Sequence, residues 1–251
     1  MEEVGEKRWM RTWGNLAWWI VTCYSVLFTV YTVPFVYGDF EIYKHFTLHA
    51  SLGNYDLAGL NILHNLRAWQ VHATAALLYM IIGPLQFNAS FRNKYPTLHK
   101  RLGYTFSVCT VVVAVTGGTT LRLNGEIETP MAMPRLSPLF MTPASLIALV
   151  ISINAARNKD FERHRRWILR SAAICYSVMY SRTLPFPIQL LFRKLSRVEA
   201  LDYGIILTLL LNSGLAEIYI QTYLTKPAAR KGTSMNQGAG HTPRGKSTKV
   251  F

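Results

Sequence analysis

The sequence predicts an all-α integral membrane protein, with six transmembrane helices around a four-helix core. Three observations carry that prediction: long uncharged runs, basic residues confined mainly to alternate loops, and a basic motif repeated between two pairs of runs. Half of the 251 residues are hydrophobic and 16% are charged, against about 25% charged in an average soluble domain. Such a composition excludes a disordered chain and a nucleic-acid-binding tail protein, and it points to lipid.

Crossing the hydrocarbon core takes about 20 apolar residues in a helix. The first run, 13–38, is too long for a cleaved leader. Its Trp13, Trp18 and Trp19 suit an interfacial belt. Runs 68–91, 102–121 and 136–156 carry no Lys, Arg, Asp or Glu. The fifth, 167–191, contains Arg170 and Arg182, and the sixth, 203–225, contains Glu217. Residues 1–225 are therefore read as the membrane domain, with its core in 68–191. Residues 57–66 have a roughly helical apolar spacing and are expected to lie along the outer interface. The Gly/Ser/Lys-rich residues 226–251 are expected to be a disordered basic tail. Cys23, Cys109 and Cys175 all fall inside runs, so no disulfide framework follows.

The net charge of +14 would suggest nucleic acid in a soluble chain. Here its placement reads as topology instead. The N-terminus, 89–101, 157–166 and the tail hold 18 Lys and Arg, while the loops on the opposite side hold 7. The positive-inside rule then puts both termini in the cytoplasm, with anionic lipid headgroups as natural neighbours of the basic loops. Asn88, Ala89 and Ser90 form a glycosylation pattern that this orientation leaves unused.

The third observation is internal. Residues 92–101 and 157–166 both follow R-N-K-x4-H-(K/R)-R, at a spacing of 65 residues. Runs two and three, and runs four and five, thus read as two copies of one helical hairpin. His99 and His164 take equivalent places at the inner ends of the third and fifth helices. Two neutral imidazoles from facing helices suit the iron of haem b or another metal ion. Lys100, Arg101, Arg165, Arg166 and Arg170 would partner the propionates. The same cations serve a lipid or isoprenoid diphosphate equally well. His72 lies near the outer end of run two, too far along the helix to share the inner site. The repeat places Ser137 at its counterpart position, so no second histidine pair is expected.

Charges inside spans are usually paired or functional. Glu217 and Arg170 have compatible depths for an interhelical ion pair. A membrane-embedded enzyme acting on a lipid or isoprenoid, of the cyclase or isomerase kind, would use Glu217 as general acid, with His72, Tyr180 and Arg182 as accessory groups. A third class is a scaffold or transporter-like subunit with no chemistry of its own. No dinucleotide fingerprint, H-E-x-x-H or G-x-S-x-G motif is present.

Two resemblances add to this reading. Gly83-Pro84-Leu85-Gln86-Phe87, the stretch from Tyr95 to Tyr104, and the block from His164 to Ser171 resemble a bacterial and fungal family of predicted multi-pass membrane proteins, classed as a domain of unknown function. The resemblance runs from about His72 to Pro185 and implies a helical membrane fold, with no activity attached. By position, His99 and His164 also resemble the haem-ligating histidines on the third and fifth helices of transmembrane b-type cytochromes. That likeness implies bis-histidine haem b and an electron donor.

Overall fold

The computed structural model describes residues 2–37, 66–122, 140–181, 185–195 and 197–224. All regular structure among them is helical. Helix α1 is Glu2–Tyr37, α2 Leu66–Phe87, α3 Ala89–Lys94 and α4 Pro96–Arg122. Helix α5 is Thr142–Arg157, α6 Phe161–Tyr180, α7 Pro185–Leu191 and α8 Arg197–Tyr219, which runs on into a π-helical turn, Ile220–Leu224. The predicted interfacial stretch 57–66 lies outside the described residues except for its last position. Arg182, residues 123–139 and the tail lie outside them altogether.

Helix boundaries depart from the uncharged runs where capping chemistry takes over. Run two was read to 91, but α2 stops at Phe87. Pro84 has no N–H for the helical ladder, and Asn88 then turns extended and accepts a hydrogen bond from the Phe91 N–H at 2.9 Å. This starts the separate short helix α3. Pro96 opens α4 at a position where a missing N–H costs nothing. Run five was read as beginning at 167. Helix α6 begins six residues earlier, because Asp160 accepts from the Arg163 N–H at 3.0 Å and Glu162 stands in the positive first turn. The same run divides near its far end, where Pro185 opens α7.

Consecutive long helices are the principal neighbours: α1 with α2, α2 with α4, α4 with α5, α5 with α6, and α6 with α8. The main apolar cluster joins Phe28 of α1, Tyr79, Met80 and Ile82 of α2, Phe106 and Cys109 of α4, and Ala172, Tyr176 and Met179 of α6. The predicted core ran from the second span to the fifth; α1 also enters it. Helix α5 joins α6 through a different chemistry. Ser152 faces His164, and seven residues back along α5 the carbonyl of Ser145 accepts from Ser171, seven residues on along α6.

Two helical segments, Leu66–Phe87 and Tyr203–Leu224, are long and apolar enough to cross a membrane, and Gly14–Val30 and Thr142–Arg157 are shorter apolar stretches. The distribution of side chains is inverted relative to a protein folded in water. Val26, Val108 and Leu210 are more than 60% exposed, while Ser145, Ser152, Ser171 and Ser177 are fully buried. Small polar residues at helix contacts and large aliphatic ones outside are what hydrocarbon solvent favours. Many hydroxyls are satisfied within their own helices: Thr22, Thr29, Thr32, Ser107, Thr110 and Thr208 each donate to the carbonyl four residues earlier.

Candidate functional site: two histidines at the basic end

The repeated motif folds to the same first turn twice. The His99 N–H donates to the Tyr95 carbonyl at 2.9 Å, and the His164 N–H to the Asp160 carbonyl at 2.9 Å. Each histidine therefore enters its helix at an equivalent place. A neighbouring helix also reaches each histidine carbonyl. Gln86 Nε2 of α2 donates to the His99 carbonyl at 3.2 Å, and Ser152 Oγ of α5 to the His164 carbonyl at 3.2 Å.

The side chains then diverge. His164 Nδ1 lies 3.0 Å from the Ser152 carbonyl and 2.9 Å from its hydroxyl oxygen. A carbonyl only accepts, so this network places a proton on Nδ1, and in the neutral ring that tautomer leaves the lone pair on Nε2. A ring nitrogen held by a main-chain carbonyl is the usual backing of a metal-bound imidazole. His99 Nδ1 is buried and has no hydrogen-bond partner. Burial holds the His99 imidazole below its usual pKa, the nearby Arg92 charge lowers it further, and a proton on His164 would act in the same sense. This environment favours the neutral ring, the form that ligation requires. The His164 contribution puts the two imidazoles within electrostatic reach of one another.

Lys100, Arg101 and Arg165 are exposed around this end, and Arg166 is half-buried. Arg170 is engaged elsewhere. Its Nε and Nη2 each donate to one oxygen of Glu217 at 2.9 Å, and its guanidinium lies 4.7 Å from the Trp167 ring centre. Gln221 donates to the same carboxylate at 2.7 Å. This fork-to-fork geometry ties α6 to α8, and it occupies the guanidinium that the sequence reading offered to a propionate.

The groups of the enzyme reading are spread out. His72 lies toward the far end of α2, with Nδ1 2.9 Å from Thr116 Oγ1 of α4 and its ring edge-on to Trp69. Glu217 is on α8, against α6. Tyr180 packs edge-on against Tyr24 and is stacked with Tyr176. Arg182 lies outside the described residues. Among the described residues, none of these contacts joins His72 to Glu217.

Sequence reasoning did not single out Ser152, although the antiparallel hairpin register could have found it. Stepping seven residues at a time, in opposite directions from the turn, links Ser152 and Ser145 to His164 and Ser171. It also missed Ser25, Tyr79 and Tyr176, which converge from three helices with no shared motif.

Among the described residues, no group of three or more His, Cys, Asp and Glu comes together to hold a bare metal ion. The family model described as Predicted membrane protein (DUF2306) matches residues 69–220. No curated protein and no solved structure matches the chain.

Proposed function

Because the chain belongs to the DUF2306 family of predicted membrane proteins, we propose that it is a six-span membrane protein that binds haem b at its basic, cytoplasmic end and serves a redox function. The observation that carries this reading is the asymmetric preparation of two imidazoles: a backed ring at His164 with Nε2 available, and a buried nitrogen without a partner at His99. Two imidazoles alone make a poor site for a bare ion. They suffice for iron whose other four ligands are porphyrin nitrogens. Bound in this way, haem supplies one-electron ferric–ferrous chemistry.

The chain's residues would do the rest. Ser152 fixes the tautomer and orientation of His164. Burial keeps His99 neutral. Lys100, Arg101, Arg165 and Arg166 offer cations to carboxylates at the rim. The Arg170–Glu217 pair holds α6 against α8 and so fixes the helix that carries His164.

The test is an absorption spectrum of the detergent-purified protein from haem-replete cells, oxidised and then dithionite-reduced. A Soret band that sharpens and shifts on reduction is expected, and His99→Ala and His164→Ala should each abolish it. A featureless spectrum, or full haem retention in either variant, overturns the reading. Orientation has its own check, because glycosylation at Asn88 would invert it.

A second reading rests on the exposed Lys100, Arg101 and Arg165. Without haem, this rim would bind anionic lipid headgroups as a scaffold. Binding to phosphatidylserine vesicles that falls with salt, beside a blank spectrum, is its signature.

A further inference from the structure

Three hydroxyl groups in the core break the pattern the rest of the molecule follows. Ser25 Oγ of α1, Tyr79 OH of α2 and Tyr176 OH of α6 are buried without a hydrogen-bond partner among the described residues. The residues are 2%, 2% and 4% exposed. A bilayer offers no bulk water to such groups, so an unmade bond there is costly. Threonines on both sides of Ser25 in sequence, Thr22 and Thr29, fold back onto their own helix, and Thr29 takes the Ser25 carbonyl itself. Ser25 Oγ makes no such bond. A tyrosine hydroxyl cannot make one, because its ring carries it too far from its own backbone.

The three are brought together by packing. The Tyr79 and Tyr176 ring centres are 5.2 Å apart. The Tyr176 and Ser25 hydroxyls stand close enough to interact, as do the Tyr79 hydroxyl and the Cys175 thiol, but neither pair closes to hydrogen-bond geometry. The Tyr176 hydroxyl rests on Gly83, where any Cβ would collide with it. The absence of a side chain at Gly83 is therefore what lets this hydroxyl reach the middle of the bundle.

We propose that Ser25, Tyr79 and Tyr176 form a buried binding site, at the meeting of α1, α2 and α6, for one oxygen atom that accepts O–H bonds from two of them while the third bonds a neighbouring hydroxyl. The chemistry follows from the donors. Three hydroxyls without acceptors call for an acceptor oxygen with little bulk around it. Two sources provide one: an internal water molecule, or the carbonyl oxygen of a lipophilic compound that enters between the helices. Either would fasten α1 to the four-helix core. The site stands apart from the histidine pair, since Tyr176 is twelve residues along α6 from His164, about 18 Å by helical rise.

The sign of a stability change tests it. A truly orphaned hydroxyl should be better removed, so Tyr79→Phe and Tyr176→Phe would then unfold at higher temperature. With a guest in place, each should unfold about 2–4 °C lower in detergent, for roughly one lost hydrogen bond. Ser25→Ala, the smallest change, should shift the same way and covers the case in which a tyrosine variant fails to fold. The guest is then identified in the wild-type protein. An O–H stretching band that shifts in H2(18)O and vanishes in Tyr176→Phe identifies water. A one-to-one carbonyl compound in the organic extract, lost in Tyr176→Phe, identifies a lipophile. Unchanged or raised unfolding temperatures overturn the site. So do lowered temperatures with neither a shifting band nor an extractable compound, because the hydroxyls then bond one another directly.

Discussion

The two helical hairpins, α2 to α4 and α5 to α6, share a motif and a seven-residue contact spacing, with the first helix shifted by one residue, and solve their contacts with opposite chemistry. In both, seven residues back from the turn-proximal contact on the first helix meets seven residues on along the second. In the first hairpin those contacts are Gln86 to His99 and Tyr79 stacked on Phe106, with ring centres 4.4 Å apart. In the second they are Ser152 to His164 and Ser145 to Ser171. The 65-residue offset aligns Phe87 with Ser152, Met80 with Ser145 and Phe106 with Ser171. One hairpin is filled with aromatic and thioether volume, the other with hydroxyl bonds. The lesson is that a repeat can preserve where a histidine sits while changing what holds it. Ser152 saturates His164 Nδ1; Phe87 has no atom with which to do this for His99.

Exchanging residues between the copies tests that comparison most severely. Ser152→Phe puts the first hairpin's residue into the second. It forces a ring into a fully buried contact and removes the hydroxyl's bonds to His164, so it should cost about 3 kcal/mol. Ser152→Ala keeps the main-chain acceptor and should cost about 1 kcal/mol. Denaturation in detergent distinguishes them, and equal losses would show that bonding, not volume, governs the contact.

Gly83 aligns with Ala148. Gly83→Ala should cost about 1–3 kcal/mol, because its Cβ collides with the Tyr176 hydroxyl and lies 3.2 Å from the ring carbon bearing it. The reverse change, Ala148→Gly, should cost about 1 kcal/mol through helix propensity, with the loss of a buried methyl group adding to it. A neutral Gly83→Ala would mean that Tyr176 does not sit where the structure has it.

The turns differ as well. Helix α5 closes with the Asp160 N–H on the Ala155 carbonyl and the Lys159 N–H on the Ala156 carbonyl, and Lys159 has a φ of 61°. That is the position where glycine is the usual residue. Lys159→Gly should therefore stabilise by about 1 kcal/mol. Lys94, its counterpart, is helical, and glycine there should bring no gain.

The smallest effect concerns pH. The His99 pKa in the fold lies below its ordinary 6.5, so the unfolded chain binds a proton first as pH falls. Stability of the haem-free protein is then unaffected well above 6.5 and declines as pH drops from there toward the folded pKa. Unfolding midpoints between pH 7.5 and 5.5 should show that decline, and His99→Gln should flatten it. An unchanged slope in that variant would assign the effect to another group.

Much of this was legible in the sequence because it depends on one helix at a time. Uncharged runs mark helices, proline and Asp or Asn mark their starts, and a repeated string marks two equivalent turns. Reading runs as helices failed at Phe87 and at residue 161, where a cap outweighed hydropathy. Asn88 and Asp160 satisfy helix N–H groups whatever the apolar content of their neighbours. The depth reading of Arg170 and Glu217 needed only the rise per residue, and the two side chains do pair.

The sequence by itself determined the helical class, the membrane family and the equivalence of His99 and His164, since periodicity, composition and local capping are properties of adjacent residues. Only the tertiary structure decided that the Ser152 carbonyl accepts from His164 Nδ1, that Arg170 is committed to Glu217, and that the Tyr176 hydroxyl reaches Gly83 beside Ser25 and Tyr79. Those outcomes depend on which faces of different helices touch and at what register. Hydrogen bonds act over about 3 Å, so an error of one residue in register, unreadable from either helix alone, exchanges a bonded histidine for an unbonded one.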